Sequence, residues 1–228
     1  MQVVILAGGL GKRLGHLTSN IPKPMISIKE KPFLWYLIKY LKKQCLKEIL
    51  ICTGYKAERI TSYFKDGSKF GVDVKYSHEK NPLGTGGALK NAERYLNEEF
   101  MLLNGDTFIP LNFKNLINYF KNSSGKNIIV VNKDKQVHGN IKINGEKMVI
   151  GYDKVQKKFK YNDCGVQVFR KEIIKLIPRN RIVSLENDIF PLLIRKNNLV
   201  AFEAKTDFFD LGTFEGLHRF KKVVDKYF

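Results

Sequence analysis

Short apolar runs alternate with amphipathic stretches along this chain, and that alternation restricts its fold more than any other feature. Val3 to Leu6 reads as a strand. Phe33 to Lys43 sets Phe33, Leu34, Leu37, Ile38 and Leu41 on one helical face, and Ile49 to Thr53 returns as a strand. Ala57 to Phe64 suits a helix and Val72 to Ser77 alternates as a strand. The segment after Gly84-Thr85-Gly86-Gly87 is helical through Tyr95, and Phe100 to Leu103 is a short buried strand. Repeated strand-helix units of this kind predict an α/β architecture with a largely parallel sheet.

Beyond Ile128 to Val131 the pattern turns hairpin-like, with Ile141 to Ile143 and Met148 to Ile150 joined through Asn144-Gly145, which predicts a small antiparallel insert. Cys164 to Phe169 and Leu199 to Ala204 read as further strands, and Thr213 to Tyr227 as a closing helix. Pro191 should break or kink any helix drawn from Ser184 to Lys196. With 228 residues, 43% hydrophobic, and no repeat or Pro/Ser-rich linker, the chain is expected to form one domain, 1–228.

Lys and Arg number 40 against 22 Asp and Glu, a formal charge of +18. Such an excess suits a nucleic acid or an anionic membrane, but the cations are spread over nearly every segment and Lys far outnumbers Arg, whereas duplex recognition leans on Arg. Neither nucleic acid nor membrane is expected as a partner; a polyanionic small substrate gains from the same field. Cys45, Cys52 and Cys164 lack CxxC spacing and read as reduced, buried thiols. The run Val3-Val4-Ile5-Leu6-Ala7 is too short for a signal-peptide core, so a cytoplasmic location is expected.

The strongest motif is Leu6-Ala7-Gly8-Gly9-Leu10-Gly11-Lys12-Arg13-Leu14, a glycine-rich loop leaving a buried strand. Its amides can approach phosphates without Cβ obstruction, and Arg13 can add a bidentate clamp. It contains no GxxxxGK[ST], and Leu14 stands where a dinucleotide fingerprint needs its third glycine. Lys23, between Pro22 and Pro24, is either a surface turn or a pre-positioned cation. Asn104-Gly105-Asp106 is a turn in isolation. At the carboxyl end of a parallel strand, where open α/β sheets bind ligands, Asp106 becomes a metal candidate. Asp210, also leaving an apolar run, is either a turn before Thr213 as helix cap or a second metal carboxylate. Glu79-Lys80-Asn81-Pro82-Leu83-Gly84-Thr85-Gly86-Gly87-Ala88, a second glycine-rich turn entering a helix, reads as close helix packing or as backbone contact with a nucleotide. Ser184-Leu185-Glu186 reads as a capped helix start.

In this order the segments LAGGLGKRL, PKPM, PLGTGGAL, NGDTF, SLENDIFP and FDLGT resemble the sugar-1-phosphate nucleotidylyltransferases from Val3 to about Tyr227, and most of all the bacterial D-glycero-D-manno-heptose 1-phosphate guanylyltransferases. The resemblance implies a Rossmann-like (nucleotide-diphospho-sugar transferase) fold: a mixed, mostly parallel sheet flanked by helices, with a small antiparallel insert on the sugar side. Residues from 1 to about 125 would hold the nucleotide; those from about 126 to 228 would hold the sugar and supply the closing helix. The left-handed β-helix of some relatives is not expected.

The implied reaction joins a nucleoside triphosphate, GTP favoured, to a sugar 1-phosphate, giving a nucleotide sugar and pyrophosphate, with Mg²⁺ as cofactor. Mannose 1-phosphate, or CTP or UTP as donor, are the same-fold alternatives. By the same resemblance, Leu6, Ala7, Gly8, Gly9, Gly11, Arg13, Gly84, Thr85 and Asn104 would contact the nucleotide. Arg13 would lie on the leaving pyrophosphate, with Lys23 and Asp106 completing the catalytic set. Asp106 and Asp210 would hold the metal. Lys23, Gly139, Lys154, Asp163, Gly165 and Glu186 would contact the sugar phosphate, with Asp163 at a position commonly Asn. A role in bacterial surface-polysaccharide synthesis follows from the resemblance, and a homo-oligomer is compatible with it. A non-catalytic nucleotide-sugar sensor or nucleic-acid-binding protein is the reading from another class, and paired carboxylates at Asp106 and Asp210 argue against it.

Overall fold

The computed structural model describes residues 1–9, 11, 14–15, 18–133, 138–156 and 158–228. Among the described residues, nine strands form one sheet: β1 (Gln2–Ala7), β2 (Glu48–Thr53), β3 (Asp73–His78), β4 (Glu99–Asn104), β5 (Asn127–Lys133), β6 (Ile141–Ile143), β7 (Val149–Tyr152), β8 (Tyr161–Arg170) and β9 (Leu199–Ala204). The order β7-β6-β8-β4-β1-β2-β3 runs across it, and β5 pairs with both β8 and β9. β4, β1, β2 and β3 are mutually parallel, so their carboxyl ends share one edge. β8 runs antiparallel to β4 and β5, and β6 antiparallel to β7.

Both faces of the sheet are covered, and the strand sequences say why. In β1, Val3 and Ile5 join one apolar cluster while Val4 joins the other; in β4, Met101 and Leu103 face the first and Phe100 and Leu102 the second. A strand buried on both sides needs apolar residues at consecutive positions, and that is how these runs read. The first face carries α1 (Phe33–Lys43), which buries Phe33, Leu34, Tyr36, Leu37, Ile38 and Leu41. Pro32 stands at its N-cap, and Lys42 and Lys43 in its last turn complement the helix dipole. The other helices are α2 (Ala57–Phe64), α3 (Gly84–Asn91), α4 (Phe113–Lys121), α5 (Phe190–Arg195) and α6 (Phe214–Val223).

Four expectations are refined. The helix after Gly84 does not run unbroken to Tyr95: α3 ends at Asn91 and a 3-10 turn covers Glu93–Tyr95. The closing helix likewise ends at Val223 and tightens into a 3-10 turn at Val224–Lys226. Pro191 does not end a helix but begins one: a π-helical turn, Leu185–Ile189, leads into α5, and Pro191 sits in its first turn where no helical N–H is needed. Cys45 is exposed, in a left-handed turn (φ 63°) after α1, whereas Cys52 and Cys164 are buried as expected. Burial pushes the Cys52 thiol up to about 12, so it stays protonated. Among the described residues no helix is long and apolar enough to cross a membrane.

Candidate active site

A cleft of about 570 Å³ opens along the shared carboxyl edge of β1, β4 and β3 and extends under β8. Leu6, Ala7, Gly8, Gly9 and Gly11 line it from the end of β1, Asn104, Gly105 and Asp106 from the end of β4, and Gly84 and Thr85 from the start of α3. Lys23, Lys154, Asp163, Gly165, Glu186 and Asp210 complete the gathering of sequence-predicted residues. Arg13 lies outside the described residues. Gly139 is buried and does not line the cleft. Its N–H donates to the Phe159 carbonyl at 2.8 Å, and a Cβ there would stand 2.2 Å from the Tyr161 carbonyl oxygen, so the neighbouring Asn140 faces the cleft instead.

Lys23 forms a 3-10 turn with Pro24 and Met25, is 9% exposed, and donates from Nζ to Asp106 Oδ2 at 2.5 Å. Pro22 and Pro24 restrict the backbone on either side, so the ammonium is held at its place before any substrate arrives. The turn after β4 is tight because Gly105 N–H donates to the Leu6 carbonyl at 2.9 Å, and a Cβ on Gly105 would meet that oxygen at 2.6 Å. Thr107–Phe108 and Phe209–Asp210 pair as a two-stranded ribbon, and Leu211 N–H donates to the Asp106 carbonyl at 2.9 Å. The ribbon therefore brings the Asp106 and Asp210 backbones side by side. Thr213 caps α6 by accepting from Gly216 N–H at 3.0 Å, as its position predicts.

The cleft is also lined by Glu79, which follows β3 and to whose carboxylate sequence reasoning gave no role. Its carboxylate sits between two glycines: a Cβ on Gly8 would stand 2.6 Å, and one on Gly54 2.8 Å, from Oε1. Oε2 accepts from Leu83 N–H at 3.2 Å. Burial raises its pKa, and that one hydrogen bond opposes the shift without cancelling it. A further donor arriving at the carboxylate would favour its ionised form.

Asp163 anchors a polar network in the cleft wall. Asp163 Oδ1 accepts from Gly165 N–H at 2.8 Å and from Gln167 Nε2 at 3.1 Å, and Oδ2 accepts from the Tyr152 hydroxyl at 3.1 Å. Asn140 ties the group together, donating from Nδ2 to the Tyr152 hydroxyl at 3.2 Å and accepting from Asp163 N–H at 2.8 Å. The register of β8 against β5 shifts between Asp163 and Gln167, and Gly165 within that irregularity has φ 66°. A side chain at Gly165 would stand 2.7 Å from Thr107 Oγ1, so the strand can lie over the ribbon only as glycine. Burial pushes the Asp163 carboxyl up to about 6, against the Gly165 N–H bond and with the negative charge of Glu186 adding to the rise.

Glu186 does more than complement a helix dipole. It is 9% exposed, and Oε2 accepts from Thr85 Oγ1 at 2.8 Å and from Ser184 Oγ at 2.7 Å. Lys154 Nζ lies 3.6 Å from Oε1. Burial alone would raise this carboxyl, but Lys154 and the two hydroxyls outweigh it and leave the pKa lowered. The Thr85 hydroxyl also accepts from Leu185 N–H at 2.8 Å, so it is engaged by the 184–186 segment. Asp153, next to Lys154, accepts from Val155 and Gln156 N–H and thereby shapes the turn that carries the lysine.

The cleft thus joins glycine-rich backbone, a fixed ammonium beside Asp106, the neighbouring Asp210, and the carboxylates of Glu79, Asp163 and Glu186. The family model described as "Nucleotidyl transferase" matches residues 2–226. A D-glycero-α-D-manno-heptose 1-phosphate guanylyltransferase of Campylobacter jejuni subsp. jejuni serotype O:2 is 40% identical over 176 residues, covering 76% of this chain and 77% of its own. The enzyme of the same name from Aneurinibacillus thermoaerophilus is 30% identical over 231 aligned residues, covering 100% of both chains. The crystal structure of HddC from Yersinia pseudotuberculosis complexed with GMP-PN superposes with a TM-score of 0.84 at 32% identity, over 98% of this chain and 99% of that one. From the first strand to the closing helix, this chain belongs to the nucleotidyl transferase family.

Proposed function

We propose that the protein transfers a guanylyl group from GTP to D-glycero-α-D-manno-heptose 1-phosphate. The observation that carries the choice of base is the Glu79 carboxylate, set among Gly8, Gly54 and Leu83 in the cleft wall. Guanine presents two donors side by side, the ring N1–H and the exocyclic amino group, and an ionised carboxylate is an acceptor on both oxygens. Uracil offers one N–H flanked by carbonyls that repel a carboxylate, and cytosine pairs its amino group with a ring acceptor. A relative that is 40% identical to this chain over 176 residues, and a solved neighbour complexed with GMP-PN, support the same reading. The heptose is supported by the names of the two relatives.

In the reaction, an oxygen of the sugar 1-phosphate attacks the α-phosphorus of GTP in line. A new P–O bond forms, the bond from the α-phosphorus to the bridging oxygen breaks, and its electron pair leaves with pyrophosphate. The attacking oxygen is already anionic, so positioning and charge neutralisation carry the barrier reduction. Lys23 supplies a fixed positive charge in the cleft. The amides of Gly8, Gly9 and Gly11 face the triphosphate, and Lys154 with Glu186 and Asp163 hold phosphate and hydroxyls of the sugar.

Asp106 and Asp210 fit a magnesium ion. They are brought together by the ribbon and line the cleft, and among the described residues no group of three ligating side chains exists. A site with two carboxylates suits an ion that keeps waters and binds substrate phosphates in preference to a full protein cage. When bound, the ion would neutralise phosphate charge. With equal concentrations of GTP, CTP and UTP, the protein should form the GDP-sugar, and Glu79→Gln should lose most of that preference, by roughly tenfold or more. Retained GTP selectivity in Glu79→Gln would remove Glu79 from base recognition.

A further inference from the structure

Beside the catalytic cleft lies a second and larger one, of about 1230 Å³, on the other side of Asn162 and Phe208, which line both. Its walls come from the end of β5, the start of β8, the segment after β9 and the carboxyl-terminal turn. Nothing in the transfer reaction uses it.

Among the described residues, five of the fourteen that line it are cations: Lys133, Lys160, Lys205, Arg219 and Lys226. That is about twice the share of the whole chain, 40 in 228. The acids present are Glu203 and Asp207. None of the five cations takes part in a salt bridge among the described residues. Two are held by aromatic faces instead, Arg219 Cζ at 5.4 Å from the Phe209 ring centre and Lys226 Nζ at 5.8 Å from that of Tyr227.

The floor of the cleft supplies an independent observation. Asn132 Nδ2 donates to the Ala204 carbonyl at 3.1 Å and the Thr206 carbonyl at 2.8 Å, pinning the segment after β9. Within that pinned segment the Thr206 hydroxyl is buried without a hydrogen-bond partner among the described residues. Cations without carboxylate partners among the described residues and the half-buried rings of Phe208 and Tyr227 together describe a receptor for phosphate oxygens.

We propose that this cleft is a second ligand site, for a small molecule carrying two or more phosphate groups, and that it is separate from the catalytic cleft. Asn162 precedes Asp163 on β8, and Phe208 lies two residues before Asp210, so a ligand here would bear on both walls of the catalytic cleft.

Equilibrium dialysis of the full chain against radiolabelled GDP and, separately, inorganic pyrophosphate tests this. The dialysis is run at about 0.15 M ionic strength, where a Debye length of about 8 Å screens the diffuse positive field. The proposal expects two GDP molecules per chain, the second displaced by pyrophosphate. The double variant Lys205→Gln/Arg219→Gln should bind one, with turnover in the absence of added ligand preserved. Thr206→Val, close in shape, should raise the melting temperature of the unliganded protein. One GDP per wild-type chain, or a second molecule bound equally well by the double variant, would overturn it.

Discussion

Thr85 and Glu186, 101 positions apart in sequence, are joined by a 2.8 Å hydrogen bond from hydroxyl to carboxylate, and the same hydroxyl accepts from Leu185 N–H at 2.8 Å. Gly86 N–H donates to the Val183 carbonyl and Val183 N–H to the Leu83 carbonyl, each at 2.8 Å, so the start of α3 and the 183–186 segment form one unit. The loop assigned to the nucleotide therefore sets the carboxylate assigned to the sugar.

Thr85 is accordingly a positioning residue. Thr85→Val should raise the KM for the sugar 1-phosphate by roughly tenfold, the worth of a hydrogen bond to a charged group, and leave the KM for GTP near its original value. Thr85→Ser should restore it. Steady-state kinetics with each substrate varied in turn will check this; a rise confined to GTP would show that the hydroxyl serves the nucleotide instead.

The buried ammonium of Lys23 carries a different expectation. Lys23→Met should lower kcat by roughly 10² to 10³, the usual cost of removing one electrostatic contact to a developing charge, while circular dichroism reports an intact fold. Lys23→Arg should not restore turnover, because the side chain is 9% exposed and a compact ammonium already meets Asp106 at 2.5 Å. Near-normal turnover in Lys23→Met would remove Lys23 from the reaction.

Asp163 predicts the pH dependence. Its carboxyl is raised from an ordinary 3.8 to about 6, so the folded protein takes up this proton more readily than the unfolded chain. The associated stability is present below the unfolded value and is lost as pH rises through about 6. Asp163→Asn, which cannot ionise, should therefore gain in melting temperature relative to the parent across that interval. In kinetics, the KM for the sugar 1-phosphate should rise below about 6 as the carboxylate is protonated, and Asp163→Asn should lack that inflection. The substrate phosphate also ionises near pH 6, but this is common to both proteins and cancels in the comparison. Identical profiles would contradict the role given to Asp163.

Local sequence carried most of the architecture, because strands buried on both faces and one-sided helices leave strong periodic patterns. Phe33–Lys43 and Ala57–Phe64 form the helices their spacing describes. The second hairpin strand lies at Val149–Tyr152 and not at Met148 to Ile150, displaced by an irregularity between Val149 and Gly151 that no local pattern signals. α4 is legible in the sequence too: Phe113, Leu116 and Phe120 are buried at helical spacing behind Asn112, which caps the helix by accepting from Asn115 N–H. In the site, the glycine loop, Lys23, Asp106 and Asp210 could be selected because each leaves an apolar strand or interrupts a pattern. Glu79 could not, since its role rests on β3 ending beside Gly8 and Gly54. Tyr152, Asn140 and Gln167 meet at Asp163 only through the pairing of β6, β7 and β8.

The most direct test is pyrophosphate release by the purified protein with Mg²⁺, each of GTP, CTP, UTP and ATP, and a panel of sugar 1-phosphates that includes D-glycero-α-D-manno-heptose 1-phosphate and α-D-mannose 1-phosphate. The account predicts release with GTP and the heptose well above every other pair. Release with mannose 1-phosphate and GTP instead would contradict the sugar, and release with CTP or UTP in preference to GTP would contradict the reading of Glu79. Folded protein that releases no pyrophosphate from any pair would contradict the transfer reaction itself.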